Sequence, residues 1–188
     1  MDYLIVPLTP DRWPHLEQLF GPRGACAGCW DMWYRIKRST WESQKGEGNR
    51  EAFRQIVESG AVPGLLAYNG GKAVGWVAIE PREAYPVLAR STVLKPVDDQ
   101  PAWAITCFFI ASSHRREGLT SQLAQAAVDH ALSHGARIIE AYPIEPRTAD
   151  APDFYLFTGI PSMFERLGFV EVARRSPSRP IMRYTLQS

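Results

Sequence analysis

The chain has 188 residues, with 21 Lys and Arg against 20 Asp and Glu, a formal net charge of +1, 45% hydrophobic and 22% charged residues. This balance argues against a nucleic-acid binder driven by a basic surface and against a polybasic membrane patch, and a chain of this size buries a full core without covalent staples. Its apolar runs fall short of the roughly 20 residues that span a bilayer, the first nine residues lack the charged and apolar regions of a signal peptide, and three cysteines, odd and sparse, suit a reducing compartment, so a cytoplasmic protein is expected.

In chain order, residues 3–8 form a short apolar run that predicts an opening strand, and Trp13, Leu16, Leu19 and Phe20 recur at helical spacing. Residues 21–28, rich in Gly, predict a loop. Trp30, Trp33, Tyr34 and Lys37 predict a second helix, and Asn49 predicts the cap of a third over 50–59. Residues 63–68 and 73–80 predict a hairpin turned by Asn69-Gly70-Gly71-Lys72, because Asn and Gly tolerate positive φ. The Pro-rich stretch 81–101 predicts irregular chain with one short helix.

Residues 102–111 form the most apolar run and predict a central strand. A helix comes next, with Leu119, Leu123, Ala127 and Ala131 on one face and Gly135 as its C-cap. A strand over 136–142, a polar loop over 145–153, a short helix over 161–167 and strands over 169–174 and 181–186 complete the order. This predicts an α/β (α+β) fold: one domain over 1–188, with a mixed, mostly antiparallel sheet of six to seven strands flanked by helices. No internal repeat is visible.

Between the central strand and its helix stands Arg115-Arg116-Glu117-Gly118-Leu119-Thr120. The first turn of a helix has unpaired N–H groups and a positive dipole end, so an anion is stabilised there. Gly118 lets phosphate oxygens approach the backbone, and Arg115 and Arg116 add positive charge. The same residues would also serve a plain strand-to-helix connection. The stretch resembles the coenzyme-A motif of the GNAT acyltransferases, Arg/Gln-x-x-Gly-x-Gly/Ala. Met163-Phe164-Glu165-Arg166-Leu167-Gly168-Phe169 resembles that family's later helix-to-strand segment, and the hairpin with Val74-Gly75-Trp76 its second and third strands.

The resemblance implies transfer of an acetyl group from acetyl-CoA, a co-substrate, to a primary amine without a metal. It places the cofactor against Phe109, Ile110, Arg115, Arg116, Glu117, Gly118, Leu119 and Thr120, with residues 61–188 as the acyl-CoA core and 1–60 as a helical acceptor-side segment. In the family a backbone N–H of the strand before the turn stabilises the oxyanion formed on attack; here it would come from near Phe109 or Ile110. The amine must first lose a proton. Glu80 and Glu140, at strand ends, are the candidate bases, though each is also readable as a surface carboxylate. The chain departs from the pattern at Thr120, where Gly or Ala is usual, and at Phe164, where many members carry a tyrosine general acid. Tyr142 and Tyr155 are candidates for the missing acid. Cys107 is read as a core residue rather than a nucleophile.

Cys26-Ala27-Gly28-Cys29 has a C-x-x-C spacing, but no second such pair completes a zinc site, so two reduced thiols packing a loop is the reading. Trp30 and Trp33, with Trp41 and Tyr34, form either a packed face or, with Asp31 or Glu42, the wall of an acceptor site for a small amine. The alternatives are a CoA-binding sensor or scaffold without catalysis, a protein amine as acceptor, or another phosphate binder; the last lacks both Gly-rich nucleotide motifs. Relatives suggest a possible homodimer. No nucleic-acid or membrane partner is expected.

Overall fold

A computed structural model describes residues 3–146 and 156–187. Seven strands form one sheet in the order β1-β2-β3-β4-β5-β7-β6: β1 Leu4–Pro7, β2 Gly64–Asn69, β3 Lys72–Pro81, β4 Trp103–Ile110, β5 Ile138–Ala141, β6 Val170–Arg174 and β7 Pro180–Thr185. All neighbours are antiparallel except β4 and β5. The helices are α1 Trp13–Phe20, α2 Arg38–Ser43, α3 Glu47–Glu58, α4 Pro86–Arg90, α5 Leu119–Ser133 and α6 Pro161–Arg166. The predicted mixed, mostly antiparallel sheet is therefore present, with seven strands. The N-terminal segment supplies β1 as well as helices.

Local chemistry explains the central elements. Gly70 and Gly71 turn the β2–β3 hairpin at φ +55° and +80°, a conformation that suits a two-residue turn. Leu119, Leu123, Ala127 and Ala131 of α5 are all buried against the sheet. Gly75 of β3 lets that helix come close: a Cβ there would lie 3.0 Å from Leu123 and 3.1 Å from Leu119. On the opposite face, Leu66, Trp76 and Ala78 pack with Leu16 and Phe20 of α1 and Phe53 and Val57 of α3. Each such large side chain contributes about 1.5–3 kcal/mol when fully buried.

β4 carries an irregularity that redirects the side chains of its C-terminal half. Ile105 pairs with Ile79 and Cys107 with Ala78, so Thr106 is an extra residue without a partner on β3. A bulge of this kind bends a strand and shifts its alternation. Ile105 and Phe108, three apart, consequently both face α5, while Cys107 and Phe109 face α1.

Two expectations are corrected. Residues 30–37 are turns rather than a helix, because Trp30 and Asp31 hold φ of +48° and +61°. The aromatic spacing serves core packing instead: Trp30 stacks on Trp13 at 6.1 Å, and Trp33 meets Trp41 edge-on at 5.0 Å. The third helix begins at Glu47, with Asn49 inside it. The Asn49 amide does not cap; it is buried and donates to the Gly28 carbonyl at 3.0 Å, a better use for a polar group out of water.

Candidate functional site

The turn between β4 and α5 leaves the start of a helix open. After Ile110 the chain makes a short 3-10 turn over Ser112–His114 and extends at Arg115. It reaches α5 through Gly118 in the left-handed region, φ +79°, with no side chain capping the helix. Ser121 and Gln122 N–H groups turn back to the Gly118 carbonyl. Leu119 is buried, Thr120 half-buried, and Arg115, Arg116, Glu117 and Gly118 exposed. A Cβ on Gly118 would meet nothing within 4 Å, so the cradle stands open. Tyr3 Oη donates to Glu117 Oε2 at 2.6 Å and holds that carboxylate. A diphosphate fits these residues: an uncapped helix start, open backbone and exposed guanidinium groups.

From this turn an open edge runs along β4. β4 and β5 pair only at Trp103–Ile139, Ala104–Glu140 and Ile105–Ala141; beyond the bulge they part. Backbone groups alternate sides along a strand. Ala111 N–H bonds Val74 O on β3 at 2.9 Å. Phe109 N–H therefore also faces β3, whereas Ile110 N–H faces the gap. Of the two positions named from the sequence for the oxyanion donor, only Ile110 points that way. Two gap-facing groups are engaged: Phe108 N–H donates to Phe157 O at 2.6 Å, and Ile110 O accepts from Arg115 Nε at 3.2 Å. Residues 157–159 thus bridge the parted strands, with Ile144 N–H donating to Gly159 O at 3.0 Å.

On the face away from α5 a polar row crosses the sheet. Glu80 of β3 and Glu140 of β5 lie on either side of Ala104. Arg35 donates to Glu80 Oε2 at 2.5 Å, to Asp31 Oδ2 at 3.1 Å and to Tyr85 Oη at 3.3 Å. Asp31 is buried, which pushes its carboxyl above the ordinary range, while Arg35 opposes the shift. Cys107 faces the same cluster, and burial raises its thiol well above the usual value, as suits a packed residue rather than a nucleophile.

Glu140 is fully buried. Its Oε1 accepts from Arg183 at 2.7 Å; its Oε2 accepts from Arg82 at 3.1 Å and from Tyr142 Oη at 2.8 Å. A carboxylate so surrounded ties β5 and β7 to the turn that follows β3. Tyr142 is fully buried, and burial, with the Glu140 charge beside it, raises its hydroxyl well above the usual value. Tyr155 lies outside the described residues. Phe164 is a core residue, 5.1 Å from Phe169 and 6.2 Å from Phe108 between ring centres.

The aromatic group divides. Trp30 and Trp41 are core residues. Trp33 is half-buried and covered by the Arg38 guanidinium at 4.3 Å, with Glu42 holding Arg38 at 2.7 Å. A depression of about 370 Å³ opens beside Trp30, lined by Glu17, Gly21, Pro22, Gly46, Glu47 and Arg50. Arg50 pairs with both glutamates there. Arg35, which no sequence motif singles out, organises the cluster at Glu80. Its one local signal is Asp31 four residues earlier, a spacing that pairs charges within a helical turn. Among the described residues, no group of three or more His, Cys, Asp or Glu could hold a metal, and no helix is long and apolar enough to cross a membrane.

A family model described as Acetyltransferase (GNAT) family matches residues 30–159. No curated protein sequence matches the chain. Among solved structures, PaiA N-acetyltransferase from Thermoplasma acidophilum, in complex with coenzyme A, is similar at TM-score 0.56 and 15% identity over 99% of this chain and 100% of that one. A GNAT-family acetyltransferase from Listeria monocytogenes gives 0.60 and 12% over 98% and 95%. A chain of the NatC complex bound to Gag peptide and CoA gives 0.57 and 10% over 100% of each.

Proposed function

Because the chain belongs to the GNAT acetyltransferase family, we propose that it is an N-acyltransferase that moves an acetyl group from acetyl-CoA to the primary amine of a small molecule in the cytoplasm. The observation that carries this is the uncapped start of α5 behind an open, left-handed Gly118, at the end of a strand that has parted from its neighbour. In this reading Leu119 and Thr120 N–H groups and the guanidinium groups of Arg115 and Arg116 hold the diphosphate, with Glu117 held aside by Tyr3. Ile110 N–H, facing the gap, receives the carbonyl oxygen as it gains charge. Acetyl-CoA supplies the activated acyl group. Residues 61–188 form the acyl-CoA side, and the 1–60 segment shapes the acceptor side.

Glu80 is the candidate proton acceptor, acting directly or through water. It is the less enclosed of the two carboxylates: among the described residues, Arg35 is its only ion-pair partner. Glu140 and Tyr142 hold the sheet in which it stands. Trp33, half-buried beside this cluster, is the aromatic residue left to meet an acceptor, while Trp30 supports it from the core.

Calorimetric titration with CoA tests the reading. Gly118→Glu places a carboxylate in the cradle and is expected to weaken CoA binding at least tenfold, with thiol release from acetyl-CoA falling in step. Unchanged CoA affinity would overturn the assignment. A second reading, a CoA-binding sensor without catalysis, is favoured by Phe164 in the core and by the engaged Phe108 N–H. CoA binding without thiol release across an amine library would select it.

A further inference from the structure

Cys29 and Cys107 pack against the same core cluster on the α1 face of the sheet, and Cys26 shares one turn with Cys29. Cys29 N–H donates to Cys26 O at 2.9 Å. Ala27, at φ +53° and ψ +29°, and Gly28, at φ +70°, both occupy the left-handed region. This is a tight reverse turn with the cysteines at its first and last positions. Such a turn holds its end Cα atoms within about 7 Å, and disulfides span Cα separations of about 4.4–6.8 Å.

The turn is fixed independently of any sulfur bond. Gly46 N–H and Asn49 Nδ2 both donate to the Gly28 carbonyl, at 3.1 and 3.0 Å. A Cβ on Gly28 would lie 2.5 Å from Gly46 N. The two thiols differ in access. Cys26 is exposed and Cys29 partly buried. Burial keeps the Cys29 thiol protonated to higher pH, against the polarising effect of the Trp41 indole and the Met32 and Trp33 amides. The Trp41 indole N–H is itself buried without a partner in hydrogen-bond geometry; the polar atom it neighbours is the Cys29 sulfur. An exposed thiol, a less exposed one a turn away and an unpaired donor beside the second are the parts of a reversible closure rather than of simple packing.

We infer that Cys26 and Cys29 are a modification site: a dithiol that closes to an intramolecular disulfide by exchange with a low-molecular-weight disulfide. Cys26 thiolate attacks the external S–S bond, forms a mixed disulfide and expels one thiolate. Cys29 thiolate then attacks the Cys26 sulfur and expels the second. The protein loses two electrons and two protons, and the external disulfide takes both as two thiols. Closure draws the Cys29 sulfur from Trp41 toward Cys26, so Trp41, and Trp33 against it at 5.0 Å, change environment. The site does not depend on the acyltransferase reading.

The full chain is titrated with oxidised glutathione, its disulfides are mapped by peptide mass and its indole fluorescence is followed. Wild type and Cys107→Ser are expected to gain a Cys26–Cys29 bond and a fluorescence change that dithiothreitol reverses. Cys26→Ser is expected to show neither. The inference is overturned if glutathione remains on Cys26 with Cys29 reduced, if the bond formed is Cys29–Cys107, if all the thiols stay free, or if Cys26→Ser gives the same fluorescence change.

Discussion

Glu80 and Glu140 flank the same alanine on the same face of the sheet, and each is the next-to-last residue of its strand. Their surroundings differ in one respect that matters. Around Glu140, two carboxylates, its own and that of Asp98, meet two guanidinium groups, Arg82 and Arg183; the charges cancel. Around Glu80, among the described residues, two carboxyl groups, Glu80 and Asp31, share one guanidinium, that of Arg35. A balanced buried network holds strands together. One with more carboxyl than guanidinium groups, beside the proposed acceptor side, suits a cation, which is the state of an amine near neutral pH.

The largest effect should come from Glu140→Ala. It leaves Arg82 and Arg183 facing each other without their shared partner, and unfolding in urea should show a loss of about 3–5 kcal/mol, while the protein that remains folded keeps its CoA affinity. A loss below about 1 kcal/mol would mean that the two networks do not differ as described. Glu80→Gln comes next. Acceptor turnover should fall about a hundredfold, the low end for loss of a general base, with KM for acetyl-CoA unchanged. Full activity in this variant would remove Glu80 from the reaction and make both carboxylates structural. Tyr142→Phe should be smallest, about 1.5 kcal/mol, the low end for one hydrogen bond to a charged group, since Arg82 and Arg183 still satisfy Glu140. Its hydroxyl is raised above the ordinary value of 10.0 by burial and by Glu140, so its contribution is complete below pH 10 and is lost as pH rises beyond it. Wild type should therefore lose stability on alkaline titration more steeply than Tyr142→Phe; parallel curves would refute the bond.

What the sequence made legible was what short-range periodicity encodes. The β2–β3 hairpin arises from Asn69-Gly70-Gly71, β4 from its apolar run and α5 from leucine and alanine at fixed spacing. The Arg115–Thr120 turn was legible as a motif, because glycine at Gly118 has a local conformational reason. In the loop before α2, aromatics three and four apart satisfy a helical pattern, yet Trp30 and Asp31 adopt positive φ and send Trp30 and Trp33 into the core. The choice between Phe109 and Ile110 depended on register, fixed by Ala111 against Val74. The partners of the candidate bases were hidden by distance along the chain, 45 residues from Arg35 to Glu80 and 58 from Arg82 to Glu140. The Thr106 bulge has no glycine or proline to announce it.

That unmatched threonine also has a mechanical meaning. On its N-terminal side β4 is clamped between two strands; beyond the bulge, among the described residues, β3 is its only strand partner and the 157–159 segment joins it at Phe108, so the tip past that point overhangs like a cantilever. Any pull exerted on the free tip at Ile110 is borne by the β2–β3 hairpin, so the stiffness of that hairpin, more than of the outer strands, sets how far the tip can bend.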